Sequence, residues 1–213
     1  MPEFSPVQTY VKFIKNLTNI LSKFINALIE IGYNGDSLQE QFSKLTWEHS
    51  DNGFIYISTS MKTERVFFRD VSLNLTPHLM GWTPEVIPKL KETWLELSLL
   101  FETEEIIKDF NTLTLKDEVK LPIWESMKLL SKYFWETGVY LTNEATDGRP
   151  WEAIIGEGQD FWSFDAAILP NIYDKYYLIP PLDFVKESNN DKLLIVNKLI
   201  WGNEPWGTFS EKI

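Results

Sequence analysis

The sequence predicts an α+β fold: a mixed or antiparallel sheet built from two strand blocks, packed against a long N-terminal helix and two central helices. Three observations predict it. Apolar residues recur every three or four positions near the start and in the middle of the chain. β-Branched and aromatic runs bounded by turn residues cluster in two separate blocks, and the two kinds of segment do not alternate regularly. At 213 residues, with 44% apolar and 24% charged residues, the chain has a globular composition and can bury a sizeable core. A single domain over residues 1–213 is expected, with 110–120 as the place where a division would fall.

Across residues 7–31, Val11, Ile14, Leu17, Leu21, Leu28 and Ile31 keep helix spacing, and Lys12, Lys15, Asn16, Asn19, Lys23 and Asn26 fill the gaps. Gly32 and the Asn34-Gly35 turn end this helix. Its Asn-rich, weakly cationic polar side favours packing on a core over lying on a membrane. Residues 37–45 predict a second, short helix, residues 54–58 and 65–69 a hairpin, and residues 71–75 a third strand. Thr83-Pro84-Glu85 has the chemistry of a helix entry, and Val86, Leu90, Trp94, Leu97 and Phe101 then share one helical face. Leu121-Pro122 opens the next helix, with Ile123, Met127, Leu130 and Phe134 inward and Gly138 beyond its end. Residues 139–141 and 151–155 around the turn 146–149 predict a second hairpin. Strands are expected at 161–169 and 176–179, and a last helix capped by Asp191 over 191–201.

The absence of cysteine removes disulfides, thiolate nucleophiles, Cys-ligated zinc and iron–sulfur clusters. No cationic segment followed by an apolar run opens the chain, and no stretch reaches the ~18 apolar residues of a membrane span, so a cytoplasmic protein without membrane contact is expected. Acidity grows along the chain: residues 1–47 hold 4 acids and 4 bases, 48–100 hold 7 and 5, 101–150 hold 10 and 6, and 151–213 hold 10 and 5. A net charge of −11 repels phosphate backbones and steers a basic protein toward the carboxyl-terminal half.

Catalytic signatures fail in turn. Gly156-Glu157-Gly158 begins like a dinucleotide fingerprint, but Phe161 stands where the third glycine belongs, and no Gly-rich loop ends in Lys-Ser or Lys-Thr. The two histidines, His49 and His78, are far apart in sequence, and the contiguous His49-Ser50-Asp51 cannot form a hydrolytic triad. No cofactor and no metal are expected. The segment 156–165 remains: glycines for unusual backbone angles, Glu157, Gln159, Asp160 and Asp165 as acceptors, and Trp162 as a flat apolar face. Trp82, Trp201 and Trp206, each beside a glycine, are candidate exposed anchors among nine tryptophans.

These features point to a non-catalytic binding protein, an acidic inhibitor or immunity-type protein that neutralises a basic partner such as a toxin. Glu157, Gln159, Asp160, Trp162, Asp165 and Trp206 are its candidate contact residues. Two alternatives stay open. One is a carboxylate-dependent enzyme acting on a carbohydrate or nucleoside through two of Glu152, Glu157, Asp160 and Asp165. The other is an assembly protein that uses its first helix as an oligomer contact.

Overall fold

A computed structural model describes residues 3–13, 17–57, 61–189 and 191–208. The first strand, β1 (Phe4–Lys12), precedes α1 (Leu17–Ile31) and α2 (Gly35–Ser43). Five strands follow: β2 (Trp47–His49), β3 (Ile55–Ile57), β4 (Glu64–Phe68), β5 (Val71–Trp82) and β6 (Trp94–Glu102). The one-turn α3 (Thr103–Ile106) and a ribbon of β7 (Ile107–Asp109) and β8 (Thr114–Leu115) lead to α4 (Asp117–Tyr133). Then come β9 (Val139–Leu141), α5 (Arg149–Ile155), β10 (Ala166–Pro170) and a 3₁₀ helix (Asn171–Tyr176). The chain continues with β11 (Phe184–Ser188), β12 (Lys192–Asn197) and the one-turn helices α6 (Lys198–Trp201) and α7 (Pro205–Thr208).

The α+β class holds, and both strand blocks join in one ten-stranded sheet of order β11-β12-β10-β9-β1-β6-β5-β3-β2, with β4 also on β5. Every pairing in it is antiparallel. The sheet has two unlike faces. On one, Val7, Leu79, Leu97, Leu99, Val139 and Leu141 share a single apolar cluster with Phe24 and Leu28 of α1 and Ile123, Met127 and Leu130 of α4. The other carries two smaller clusters: Tyr140, Ala167, Leu193 and Ile195 near one end, and Tyr10, Trp94 and Trp151 near the middle.

Several expectations are corrected. The helix read over 7–31 is β1 followed by α1, and Ile14, Lys15 and Asn16 lie outside the described residues. Val7 and Val11 satisfy both a four-residue and a two-residue period, and β1 is buried on both faces between β6 and β9, which erases the alternation that marks a half-exposed strand. The helix read over 83–101 is one turn and then β6. Thr83 does start a turn, its carbonyl accepting from the backbone N–H groups of Val86 and Ile87 at 3.1 and 3.0 Å, but Pro88 cannot donate the next helical bond. Beyond it, Leu95, Leu97, Leu99 and Phe101 alternate with Glu96, Ser98 and Leu100 at strand period. One long central helix therefore stands where two were expected.

Among the described residues β3 and β4 do not pair as a hairpin; each pairs with a different half of the twelve-residue β5. Ser58 lies outside the described residues. Helix α4 starts at Asp117, four residues ahead of Leu121, and carries Pro122 inside it. The segment 151–155 is helix α5, not strand, because Pro150 in its first turn and left-handed Gly148 and Gly156, at φ +71° and +89°, delimit a short helix. Of 161–169 only the part within β10 is strand, and 176–179 is not strand at all. Residues 192–197 form β12, in which Leu193, Ile195 and Val196 are buried. Only the last turn, α6, is helical, capped by the Asn197 side chain accepting from the Leu199 N–H at 3.0 Å.

Candidate functional site

The second face of the sheet collects polar side chains between its two apolar clusters. Register sets Gln8 opposite Ser98 and Tyr140, Ser98 opposite His78, and Tyr10 opposite Glu96. Because side chains alternate along each strand, these residues face the same way. Tyr10 Oη donates to Gln8 Oε1 at 2.9 Å, and Gln8 Nε2 donates to Thr142 Oγ1 at 2.8 Å. Ser98 Oγ donates to Glu96 Oε1 at 2.5 Å, and Trp82 Nε1 to Glu96 Oε2 at 3.0 Å. Glu96 is only 4% exposed. Burial raises its pKa, while hydrogen bonds from Ser98, Trp82 and Tyr10 pull it back down.

A loop and α5 cover this seam. Trp151 of α5 stacks on Tyr10 with ring centroids 4.3 Å apart, and the rings of Trp82 and Trp94 lean on Trp151 at 5.7 and 5.8 Å. Asp147, just before α5, has its pKa pushed up to about 6, by loss of water first and by the Glu96 charge second. Hydrogen bonding from Gln8 and the charge of His78 oppose that rise. His78, half-buried in β5, has its pKa lowered by burial, partly offset by Asp147.

Outward from the seam, four carboxylates surround α5. Burial raises the Glu152 pKa; Arg149 opposes this, while the charges of Glu157, Asp147 and Asp160 add to it. Arg149 lies 3.5 Å from Asp160 Oδ2, and Lys89 lies 3.7 Å from Glu157 Oε2 and donates to the Gly156 carbonyl at 3.1 Å. Glu157 Oε1 is buried with no hydrogen-bond partner among the described residues.

The six residues singled out from the sequence thus take different places. Gln159 and Asp160 are exposed at the loop tip, and Glu157 is half-buried. Trp162 is half-buried among Phe164, Tyr177 and Phe184, with centroids 6.2, 5.1 and 5.1 Å away, so its ring packs the loop down. Asp165 is drawn inward, its backbone N–H bonded to the Leu141 carbonyl at 2.8 Å, and burial pushes its pKa up to about 7 against a hydrogen bond with Asn143. Trp206 is far along the chain from these residues, half-buried against Trp124 at 5.7 Å on the first face. Trp82 bonds Glu96 and Trp201 is 1% exposed, so neither is the exposed anchor its neighbouring glycine suggested.

Sequence reasoning missed Glu96 and Asp147. Local pattern hides Glu96: it alternates with Leu95, Leu97 and Leu99 as the wet side of a half-exposed strand does, and its burial follows from the cover that the second face receives. Among the described residues, no group of three or more His, Asp or Glu side chains is placed to hold a metal ion. Three cavities of about 260, 300 and 360 Å³ lie elsewhere, none lined by these carboxylates. No helix among the described residues is long and apolar enough to cross a membrane. No protein-family model, no curated protein and no solved structure matches this chain.

Proposed function

We propose that this chain is a non-catalytic cytoplasmic binding protein that neutralises a basic protein, as an immunity protein does its toxin. The observation that carries the reading is the carboxylate group around α5. Asp147, Glu152, Glu157 and Asp160 lie close enough for three of them to raise the pKa of the fourth, and the cations facing them are Arg149 and Lys89. A Lys or Arg side chain from a partner relieves that repulsion, so the same charges that cost stability in the free chain favour the complex. The excess of acids in residues 151–213 adds a long-range field of the same sign.

The test is capture from source cells with tagged chain at low and moderate salt, comparing wild type with a Glu157→Lys/Asp160→Lys variant and with Asp160→Lys alone, whose side chain is exposed. The reading expects a stoichiometric basic protein that salt releases and that both variants retain at least about tenfold less well. Equal retention by all three chains removes the carboxylate group from the interface. A second reading, a carboxylate-dependent enzyme, is favoured by Asp147 titrating near 6 beside Glu96 and His78. It expects Asp147→Asn to abolish turnover of a small substrate without altering any protein contact.

A further inference from the structure

The acidic loop has an apolar neighbour. Phe161 stacks on Tyr176 with centroids 4.9 Å apart and meets Tyr177 edge-on at 6.1 Å, which joins the loop before β10 to the chain leaving the 3₁₀ helix. That chain runs Leu178-Ile179-Pro180-Pro181-Leu182, and its three aliphatic side chains are 67, 86 and 93% exposed. Single exposed aliphatics are ordinary on a protein surface; three within five residues, on a loop built to stay in place, are not.

The loop is held at both ends. Lys186 Nζ donates to Asp174 Oδ1 at 2.6 Å and to the Tyr177 carbonyl at 3.0 Å. The Phe184 N–H donates to the Pro181 carbonyl at 3.0 Å, and the Lys198 N–H to the Asp183 carbonyl at 2.7 Å. Pro180 and Pro181 fix two φ angles between these ties. Little chain entropy is left to lose on docking, which is the property of a preorganised contact.

We infer that Leu178 to Leu182 is an apolar plug that seats in an apolar cleft on a basic protein partner. The inference rests on the protein-binding reading and adds to it the shape of the partner: a cleft that takes aliphatic side chains, flanked by cationic groups that meet the carboxylates around α5. Charge selects this occupant over a second copy of the chain. Two copies each carrying −11 repel, and the plug lies within residues 151–213, which hold 10 acids against 5 bases.

The experiment places the photo-reactive amino acid p-benzoylphenylalanine at Ile179 in one chain and at Asp160 in another, and irradiates source cells expressing each. The expected result is a cross-link from both positions to one and the same basic protein. The yield from position 160 should fall about tenfold or more when Leu178→Ser and Leu182→Ser are added, with the melting temperature unchanged. A cross-link from 160 with none from 179 overturns the plug and leaves the acidic interface standing. A cross-link from 179 to another copy of the chain, or to a protein that is not basic, overturns the stated occupant. Silence at both positions overturns the plug together with the reading it rests on.

Discussion

The two faces of one sheet are built on opposite principles. The first is a continuous apolar surface on which α1 and α4 lie, and a polar side chain there such as Thr9 is consumed by a backbone bond, its Oγ1 donating to the Gly138 carbonyl at 2.8 Å. The second splits its apolar area in two and places Gln8, Glu96, Ser98 and Thr142 between the halves. Apolar burial is non-directional and stabilises in proportion to area, whereas a buried polar seam demands a partner for every group. The first face should therefore dominate stability, and the second should set the ionisation behaviour of the molecule.

The largest effect is expected on the first face. Phe24 is fully buried and packs edge-on against Phe42 and Phe134 at 6.1 and 6.3 Å, so Phe24→Ala should cost about 3–5 kcal/mol in denaturant unfolding. A loss under about 1 kcal/mol would mean that this face does not dominate. On the second face, Gln8→Leu removes the Gln8 bonds to Tyr10 Oη and Thr142 Oγ1 inside the buried seam and should cost about 1–3 kcal/mol. The same substitution removes a hydrogen bond that holds Asp147 down, so the Asp147 titration should move above about 6, which NMR of the carboxyl carbon can follow.

Asp165→Asn tests the ionisation claim with the opposite sign. The Asp165 pKa stands at about 7 in the folded chain against 3.8 ordinarily, so the folded state binds the proton more tightly. Its contribution to stability is then full below about pH 4 and is lost as pH rises toward 7. The variant should flatten that slope and be more stable than wild type at pH 8, on the order of 1–3 kcal/mol by thermal or denaturant unfolding. A destabilised variant at pH 8 would show that the charged carboxylate is well paired in the fold. Smallest of all, Asp160→Lys should change stability by less than about 0.5 kcal/mol, because its side chain is exposed.

How much of this was legible in the sequence follows from the same contrast. Helix α4 and the short α2 announced themselves, because one face of each is apolar and the other wet. Strand β1 did not: covered on both sides, it loses the simple alternation of a half-exposed strand and admits helix spacing instead, whereas β6 keeps its alternation but follows a helix entry at Thr83-Pro84-Glu85 that runs for one turn only. The acidic stretch 156–165 is legible from composition, and Gln159 and Asp160 are exposed at its tip. The inward turn of Trp162 and Asp165 depends on contacts with Tyr177, Phe184 and Asn143, which no local pattern encodes. Glu96 and Asp147 come together only through the pairing of β1 with β6 and the loop that crosses them.

On the proposed reading, the carboxylates around α5 attract a cationic protein. The most direct measurement is the association rate of wild type and of Glu157→Lys/Asp160→Lys with the purified captured partner, read by stopped-flow tryptophan fluorescence over a range of ionic strengths. The wild-type rate should fall steeply with salt, and the variant should associate more slowly with a shallower salt slope. Identical rates and slopes for the two chains would contradict that reading.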